Sequence, residues 1–274
     1  MLNISIVLYR PDVQRVTKLL AELSRAKCLH TIWLLDNSPE PSTINSQLAD
    51  FYQLSTIHYQ LNSSNLGYGR AHNIAIRESI AEQIPFHLVM NDDIEVKAED
   101  IDTLHAFMQA HPEVGQLMPR VVYPDGTQQY LAKMLPTPLD VFGRRFLPKC
   151  LMRKRNERYE LRELIAQNKP LNVPYLSGCF MFLRTEAVLQ ARLFDERYFM
   201  YPEDIDLTRT IHRNWLTLYY PAVTIVHNHA KGSYHSLRLL WIHCVNMCRY
   251  FNKWGWFIDP ERKYYNPFAP AQPA

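Results

Sequence analysis

Phe86-His87-Leu88-Val89-Met90-Asn91-Asp92-Asp93 decides how the chain is read: a strand-like run ends abruptly in an amide and two adjacent carboxylates. The same construction recurs upstream. Ile4 to Tyr9 reads as a buried strand, and Val13 to Ala26 as a helix with Val16, Leu19, Leu20 and Leu23 on one face. Ile32 to Leu35 is a second strand that stops at Asp36-Asn37-Ser38-Pro39, and Thr56 to Tyr59 a third, followed by a loop and a helix through Ala71 to Ile80. Short apolar runs alternating with amphipathic stretches predict an α/β fold, a mostly parallel central sheet flanked by helices. Open sheets of this kind bind ligands at the carboxyl ends of their strands, where the polar clusters lie.

Downstream the spacing predicts a helix over Ala98 to Ala110 and a strand over Val114 to Val122. Residues 135–169 carry Pro136, Pro138 and Pro148 among many basic side chains, and read as a loop that leaves the sheet and ends in a short helix. Regular patterning returns with Tyr175 to Leu183, helices near Thr185 to Ala191 and Ile205 to Arg213, and strands over Leu216 to Tyr220 and Ala222 to Val226. A last helix, Leu237 to Phe251, has an apolar side of Leu237, Leu240, Trp241, Cys244, Val245 and Cys248, expected to pack on the sheet. The expected division is a main α/β domain over 1–235 and a helical, aromatic extension over 236–274.

The composition is that of an ordinary globular protein, and a formal charge of +3 gives no ground for a nucleic-acid partner. The five cysteines lack zinc-type pairing, so buried or reduced thiols are expected. Met1 leads straight into the first strand with no basic leader, and no apolar run approaches the length of a membrane span. The expected location is therefore cytoplasmic. The basic segment 144–162 and the mixture of Arg238, Trp241, Arg249, Lys253, Trp254 and Trp256 add an expected peripheral contact with the inner membrane surface.

Four clusters carry chemistry. Asn91-Asp92-Asp93 offers hard oxygen ligands suited to Mg²⁺ or Mn²⁺ shared with a diphosphate, although a turn ahead of Ala98 accounts for the same residues. Asn65-Leu66-Gly67-Tyr68-Gly69-Arg70-Ala71-His72-Asn73 opens a helix with two glycines, allowing close backbone approach by an anion, with Arg70 as an added charge. Glu203-Asp204-Ile205-Asp206 supplies three carboxylates, for a general base or for capping of the helix that follows. His227-Asn228-His229 follows a strand and offers imidazoles for a metal or for ordinary hydrogen bonds.

In order, these pieces resemble the family 2 glycosyltransferases of the GT-A fold, nearest to bacterial rhamnosyltransferase-like members that build O-antigen and related cell-surface polysaccharides. The matching text includes Asp36-Asn37-Ser38, Met90-Asn91-Asp92-Asp93, Ser177-Gly178-Cys179-Phe180-Met181 and Phe199-Met200-Tyr201-Pro202-Glu203-Asp204-Ile205-Asp206-Leu207. The resemblance covers about residues 3 to 260. It implies that Tyr9 stacks on a nucleobase and that Asp36 accepts from the base ring N–H. Asn65, Gly67, Gly69, Arg70, Asn73, Asn91 and Asp92 complete the implied donor side. Asp93 is the implied metal ligand, with His227 preferred over His229 to complete the site. Asp204 is the implied base, and Gly178, Tyr201 and Glu203 face the acceptor. A nucleotide-binding half spans about 1–123 and an acceptor half about 170–235.

The implied reaction is an inverting transfer from a nucleotide sugar, aided by Mn²⁺ or Mg²⁺, to a lipid-linked or oligosaccharide acceptor. The implied donor is dTDP-L-rhamnose, with UDP-galactose and UDP-N-acetylglucosamine as alternatives. A nucleotidyltransferase would carry a glycine-rich basic loop where this chain has Tyr9-Arg10-Pro11-Asp12. A non-catalytic nucleotide-sugar-binding module would not need the retained Asp36, Asp93, Asp204 and His227.

Overall fold

The protein is described from a computed structural model that covers residues 1–39, 56–228 and 237–266. In chain order the elements are β1 (Leu2–Leu8), α1 (Val13–Leu23), β2 (Leu29–Asp36), β3 (Ile57–Leu61), α2 (Tyr68–Ala81), β4 (Phe86–Asn91), β5 (Ile94–Glu95) and α3 (Ala98–Ala110). There follow β6 (Val114–Val122), β7 (Ala132–Lys133), α4 (Lys149–Tyr159), α5 (Arg162–Ile165), β8 (Leu171–Asn172), β9 (Tyr175–Leu176), β10 (Phe180–Arg184) and α6 (Thr185–Gln190). The chain closes with α7 (Glu203–Ile211), β11 (Leu216–His227), α8 (Leu237–Trp254) and α9 (Pro260–Tyr265).

The main sheet has the order β3-β2-β1-β4-β10-β6-β11-β5, with β8 on β11. Strands β3, β2, β1 and β4 run parallel, and β10 is antiparallel to both its neighbours. Side chains along β4 alternate between two cores. Leu88 and Met90 face α1 and α3, while Val89 packs with Ile76 of α2 and Leu207 of α7. A sheet covered on both faces buries successive residues on opposite sides, which is why its central strands read as continuous apolar runs.

Because β1 pairs with β2 on one side and β4 on the other, the strand order reverses there. The register aligns the ends of all three: Leu8 lies opposite Asp36, and Val7 opposite Asn91. Both polar clusters therefore emerge at one edge, at a topological switch point.

Three expectations are corrected. Residues 135–169 are largely helical rather than a loop, comprising a π-helical turn at Leu139–Gly143, a helical turn at Arg144–Phe146, then α4 and α5. Pro138 and Pro148 stand at helix N-caps, where no backbone N–H is required, so they start helices instead of breaking them. The two strands around Pro221 are one strand, with the irregularity taken up as a register shift between Tyr220 and Thr224. The core face of α8 is Asn246, Met247, Tyr250 and Phe251, not the stripe from Leu237 to Cys248. Leu237 and Trp241 are 85% and 71% exposed. The helix docks by its C-terminal half because Lys253 and Trp254 are tied to α7 there: Lys253 Nζ lies 2.7 Å from Asp206 Oδ2, and Trp254 Nε1 donates to Asp206 Oδ1 at 2.6 Å.

Among the described residues all five cysteines are free, and no helix is long and apolar enough to cross a membrane.

Candidate active site

Asp36 ends β2 fully buried. Its Oδ1 accepts from the Ser38 N–H at 2.8 Å and its Oδ2 from the Tyr59 hydroxyl at 2.8 Å. Asn37 continues the cluster, donating to the Gly67 carbonyl at 3.1 Å and accepting from Asn62 Nδ2 at 2.9 Å. Asn65 Oδ1 accepts from the Gly67 N–H at 2.9 Å, closing a turn in which Gly67 has φ +83°. A Cβ there would stand 2.2 Å from the Phe199 carbonyl oxygen, so only glycine allows the loop to seat against 199–201. Tyr9 is half exposed above this floor, with the Arg10 guanidinium 5.7 Å from its ring centroid.

Two residues expected here point elsewhere. Arg70 pairs with Glu196 at 3.5 Å, and Asn73 is a buried brace that donates to the Phe194 carbonyl at 2.9 Å and accepts from its N–H at 3.1 Å. Gly69 is small for packing, since a Cβ would meet the Phe194 side chain at 2.8 Å.

The Asn91-Asp92-Asp93 cluster divides into three distinct environments. Asn91 takes its place beside β10, donating its N–H to the Cys179 carbonyl at 3.0 Å. Asp92 turns toward α1, where Arg15 holds its Oδ2 at 3.0 Å and its carbonyl at 3.2 Å. Burial raises the Asp92 pKa, and the Arg15 charge opposes that shift. Asp93 faces β11: pairing of His227 with Ile94, and of Asn228 N–H with the Asp93 carbonyl at 2.9 Å, carries the His227 ring to the carboxylate. His227 Nε2 lies 3.2 Å from Asp93 Oδ1, and its Nδ1 lies 2.9 Å from Gln129 Oε1. Burial works against a charged ring, but the Asp93 carboxylate and the Cys179 thiol outweigh it and push the His227 pKa up to about 10. His229 lies outside the described residues.

A carboxylate oxygen and an imidazole nitrogen facing each other, with the second ring nitrogen fixed by an amide, match the donor set and outer support of a small divalent cation. Among the described residues no group of three or more His, Cys, Asp or Glu is disposed to hold a metal ion. Open positions of that kind suit a cation shared with phosphate oxygens.

Asp204 lies in the first turn of α7, buried, with Oδ2 accepting from the Gly178 N–H at 2.8 Å and Oδ1 from the Ile205 N–H at 2.8 Å. Burial raises its pKa to about 6, against those two N–H donors and the Lys133 charge. Glu203 beside it is pushed well above the carboxylate range by burial and by the Asp204 charge. Asp206, in contrast, serves the α8 contact and not the site. Gly178 packs closely on the carboxylate, since a Cβ there would stand 3.1 Å from Asp204 Cβ and would press on that side chain. Tyr201 carries φ +92° and packs edge-on against His243, a conformation that non-glycine residues rarely hold.

One residue joins the two halves. The Tyr68 hydroxyl donates to the Gly178 carbonyl at 2.6 Å and lies 3.0 Å from Asn91 Oδ1. A continuous chain therefore runs from Asn91 through Tyr68 and Gly178 to Asp204. Tyr68, Gln129 and Arg15 are not among the residues singled out from the sequence. Tyr68 stands between the two glycines of a quoted motif, whereas Gln129 and Arg15 have no local signal and are recruited only by the fold.

The glycosyl transferase family 2 model matches residues 7–190. The N-acetylglucosaminyl-diphospho-decaprenol L-rhamnosyltransferase of Mycobacterium tuberculosis is 28% identical over 218 residues, 74% of this chain and 68% of that protein. Among solved structures, GalNAc-T7 with UDP, GalNAc and Mn²⁺ superposes with TM-score 0.61 at 14% identity, covering 83% of this chain but only 43% of that one. The Pyrobaculum calidifontis mannosyltransferase PcManGT in complex with GDP-Man and Mn²⁺ gives 0.58 at 13%, covering 90% and 64%. Residues 1–349 of Staphylococcus aureus TarS give 0.56 at 15%, covering 89% and 65%. The fold is GT-A, and the chain belongs to glycosyl transferase family 2.

Proposed function

We propose that the protein transfers a sugar from a nucleotide-sugar donor to a saccharide hydroxyl in one inverting displacement, with Asp204 as general base. The observation that carries this reading is the chain Asn91–Tyr68–Gly178–Asp204, which ties a buried, oriented carboxylate to the polar edge of the sheet. Asp204 takes the proton of the acceptor hydroxyl as its oxygen forms a bond to the anomeric carbon. The bond from that carbon to the diphosphate oxygen breaks, and the nucleoside diphosphate leaves. Tyr9 and Asp36 hold the nucleobase, and the loop 65–69 backs the ribose and diphosphate. Asp93 and His227 would hold Mn²⁺ or Mg²⁺, which when bound neutralises charge on the leaving diphosphate. In this reading residues 1–123 hold the nucleotide and 170–235 meet the acceptor.

For the donor we favour dTDP-L-rhamnose, and for the acceptor a lipid-linked saccharide bearing N-acetylglucosaminyl diphosphate. The support is the mycobacterial relative, which by its name transfers L-rhamnose to such a lipid. UDP-galactose and UDP-N-acetylglucosamine are the competing donors. Access to a lipid-linked acceptor favours contact with the cytoplasmic membrane surface, and the exposed Trp241, Phe257 and Ile258 together with Arg145 and Arg153 are suited to it. The decisive experiment incubates the protein and Mn²⁺ with a panel of nucleotide sugars and a synthetic alkyl-diphospho-N-acetylglucosamine. Rhamnosyl transfer with inverted anomeric configuration by NMR is expected. Transfer with retention, or no transfer from any donor, would overturn the reading.

A further inference from the structure

Within the field of Asp204 lies an enclosed lysine at the end of β7. Lys133 is only 9% exposed, and among the described residues no hydrogen bond or ion pair reaches its ammonium. The Tyr175 ring lies 5.3 Å from its Nζ to centroid, placed there by direct pairing of Lys133 with Tyr175 between β7 and β9. Burial and the Arg144 charge lower its pKa to about 8, while Glu160, Asp204 and Cys179 support the charged form. It therefore carries its charge at neutral pH despite being enclosed.

A second orphan stands at the head of α7, the helix that packs against β9. Glu203 is 4% exposed, and its Oε2 has no hydrogen-bond partner. The head of α7 lies against the segment that carries Tyr175: Thr208 donates to the Leu176 carbonyl at 3.3 Å, and Asp204 Oδ2 accepts from the Gly178 N–H at 2.8 Å, so Glu203 and Asp204 stand beside β9 and their charges act on Tyr175. Enclosed polar groups are normally paired, and an unpaired ammonium beside an unpaired carboxyl costs stability that an apolar pair would not. Together they offer one donor group, held over an aromatic face, and one acceptor group adjacent to the base in sequence. That is the complement of a pyranose ring with vicinal hydroxyls. A dianionic phosphate fits less well, because Asp204 and Glu160 share the lysine's field.

The placement of Lys133 is also braced from a distance. Leu135 exchanges hydrogen bonds with Asn266, its N–H donating at 2.8 Å and its carbonyl accepting at 3.0 Å, and Arg262 donates to the Pro136 carbonyl at 3.1 Å. The C-terminal extension thus holds the segment immediately after β7.

We propose that Lys133 and Glu203 form the acceptor-sugar subsite, with the Lys133 ammonium donating to, and the Glu203 carboxyl accepting from, hydroxyls next to the one that attacks. This rests on the glycosyltransferase reading above. The test compares wild type with Lys133→Met, Lys133→Arg and Glu203→Gln, using the synthetic alkyl-diphospho-N-acetylglucosamine and a panel of methyl pyranosides as acceptors. For Lys133→Met we expect acceptor KM to rise tenfold or more, with partial recovery in Lys133→Arg. The Kd for dTDP with Mn²⁺, measured by calorimetry, should stay within twofold. The melting midpoint of Lys133→Met should rise, since a buried unpaired charge has been removed, and a purely structural lysine would lower it. An unchanged acceptor KM, or loss of dTDP affinity in step with transfer, would overturn the subsite. If the lipid diphosphate is no substrate but a pyranoside is used in a Lys133-dependent way, the subsite stands and the lipid-linked reading fails. If no acceptor shows dependence on Lys133, the subsite is wrong.

Discussion

Asp204 differs from its neighbours Glu203 and Asp206 in what its two oxygens meet. Each accepts one backbone N–H, which orients the carboxylate without neutralising it, so that a pKa of about 6 leaves a base with useful proton affinity. Asp204→Asn keeps the shape and one of the two acceptor contacts, sets its amide NH2 against the other backbone N–H, and removes the base. Transfer is expected to fall by about two to four orders of magnitude with dTDP affinity nearly intact, read by single-turnover kinetics beside calorimetry. Gln129 acts one step further out, orienting His227 through Nδ1 while its amide nitrogen donates to the His227 carbonyl at 2.8 Å. Gln129→Leu should weaken Mn²⁺ binding about 10- to 100-fold in a calorimetric titration, and undiminished affinity would remove Gln129 from that role.

At the scale of elements, α7 serves two masters by helical spacing. Its first turn turns Glu203 and Asp204 toward the sheet edge, while Asp206 and Arg209, three and six positions after Glu203, face the C-terminal helices. Arg209 is 1% exposed, bidentate to Asp259 at 2.5 and 2.8 Å, bonded to Glu261 at 2.8 Å, and 4.0 Å from the Trp254 ring centroid. A buried pair of this kind is costly to break from one side, because the remaining charge has no partner. Arg209→Met should lower unfolding stability by about 3–5 kcal/mol, and adding Asp259→Asn should recover much of the loss. Denaturant titration of the single and double variants measures both. Equal losses in the two would show that packing on Trp254, not the charge, carries the effect.

For the whole molecule, the pH response follows from imidazoles buried in the interior, His87 on β4, His72 on α2 and His212 at the end of α7. His72 and His87 share Ser5, whose hydroxyl lies 2.7 Å from His72 Nδ1 and 2.8 Å from His87 Nε2, and Ser79 closes the chain at 2.7 Å from His87 Nδ1. Burial, with the His87 charge adding to it, holds the His72 pKa well below 6.5, and burial alone takes His87 to about 3. Burial also lowers His212 to about 4, with Glu261 opposing. A depressed imidazole binds its proton first in the unfolded chain, so this stability is complete above about pH 6.5 and is lost as the pH falls toward 4. Asp204 and Glu203 act in the opposite sense, since their raised values favour the folded state on acidification. Comparing wild type with His87→Gln isolates the imidazole share: the wild-type midpoint should fall more steeply between pH 7 and 5. Parallel profiles would refute the assignment.

The elements with strong local periodicity were legible in the sequence. The strands ending at Asp36 and Asn91 and the helix Ala98–Ala110 follow from short continuous apolar runs and helical spacing, which neighbours in the chain impose. The polar clusters at strand ends and at the head of α7 were legible for the same reason, and with them the candidates Asp93, Asp204 and His227. What needed tertiary structure were the assignments within each cluster. Adjacent Asp92 and Asp93 are equivalent on paper, but Arg15 from α1 takes one and His227 from β11 meets the other. The exposed stripe of α8, the outward turn of Arg70 and the enclosure of Lys133 beside Asp204 were likewise decided by partners far away in sequence. Local pattern sets which residues share a face or a strand end, whereas burial and charge pairing depend on what long-range packing brings against them.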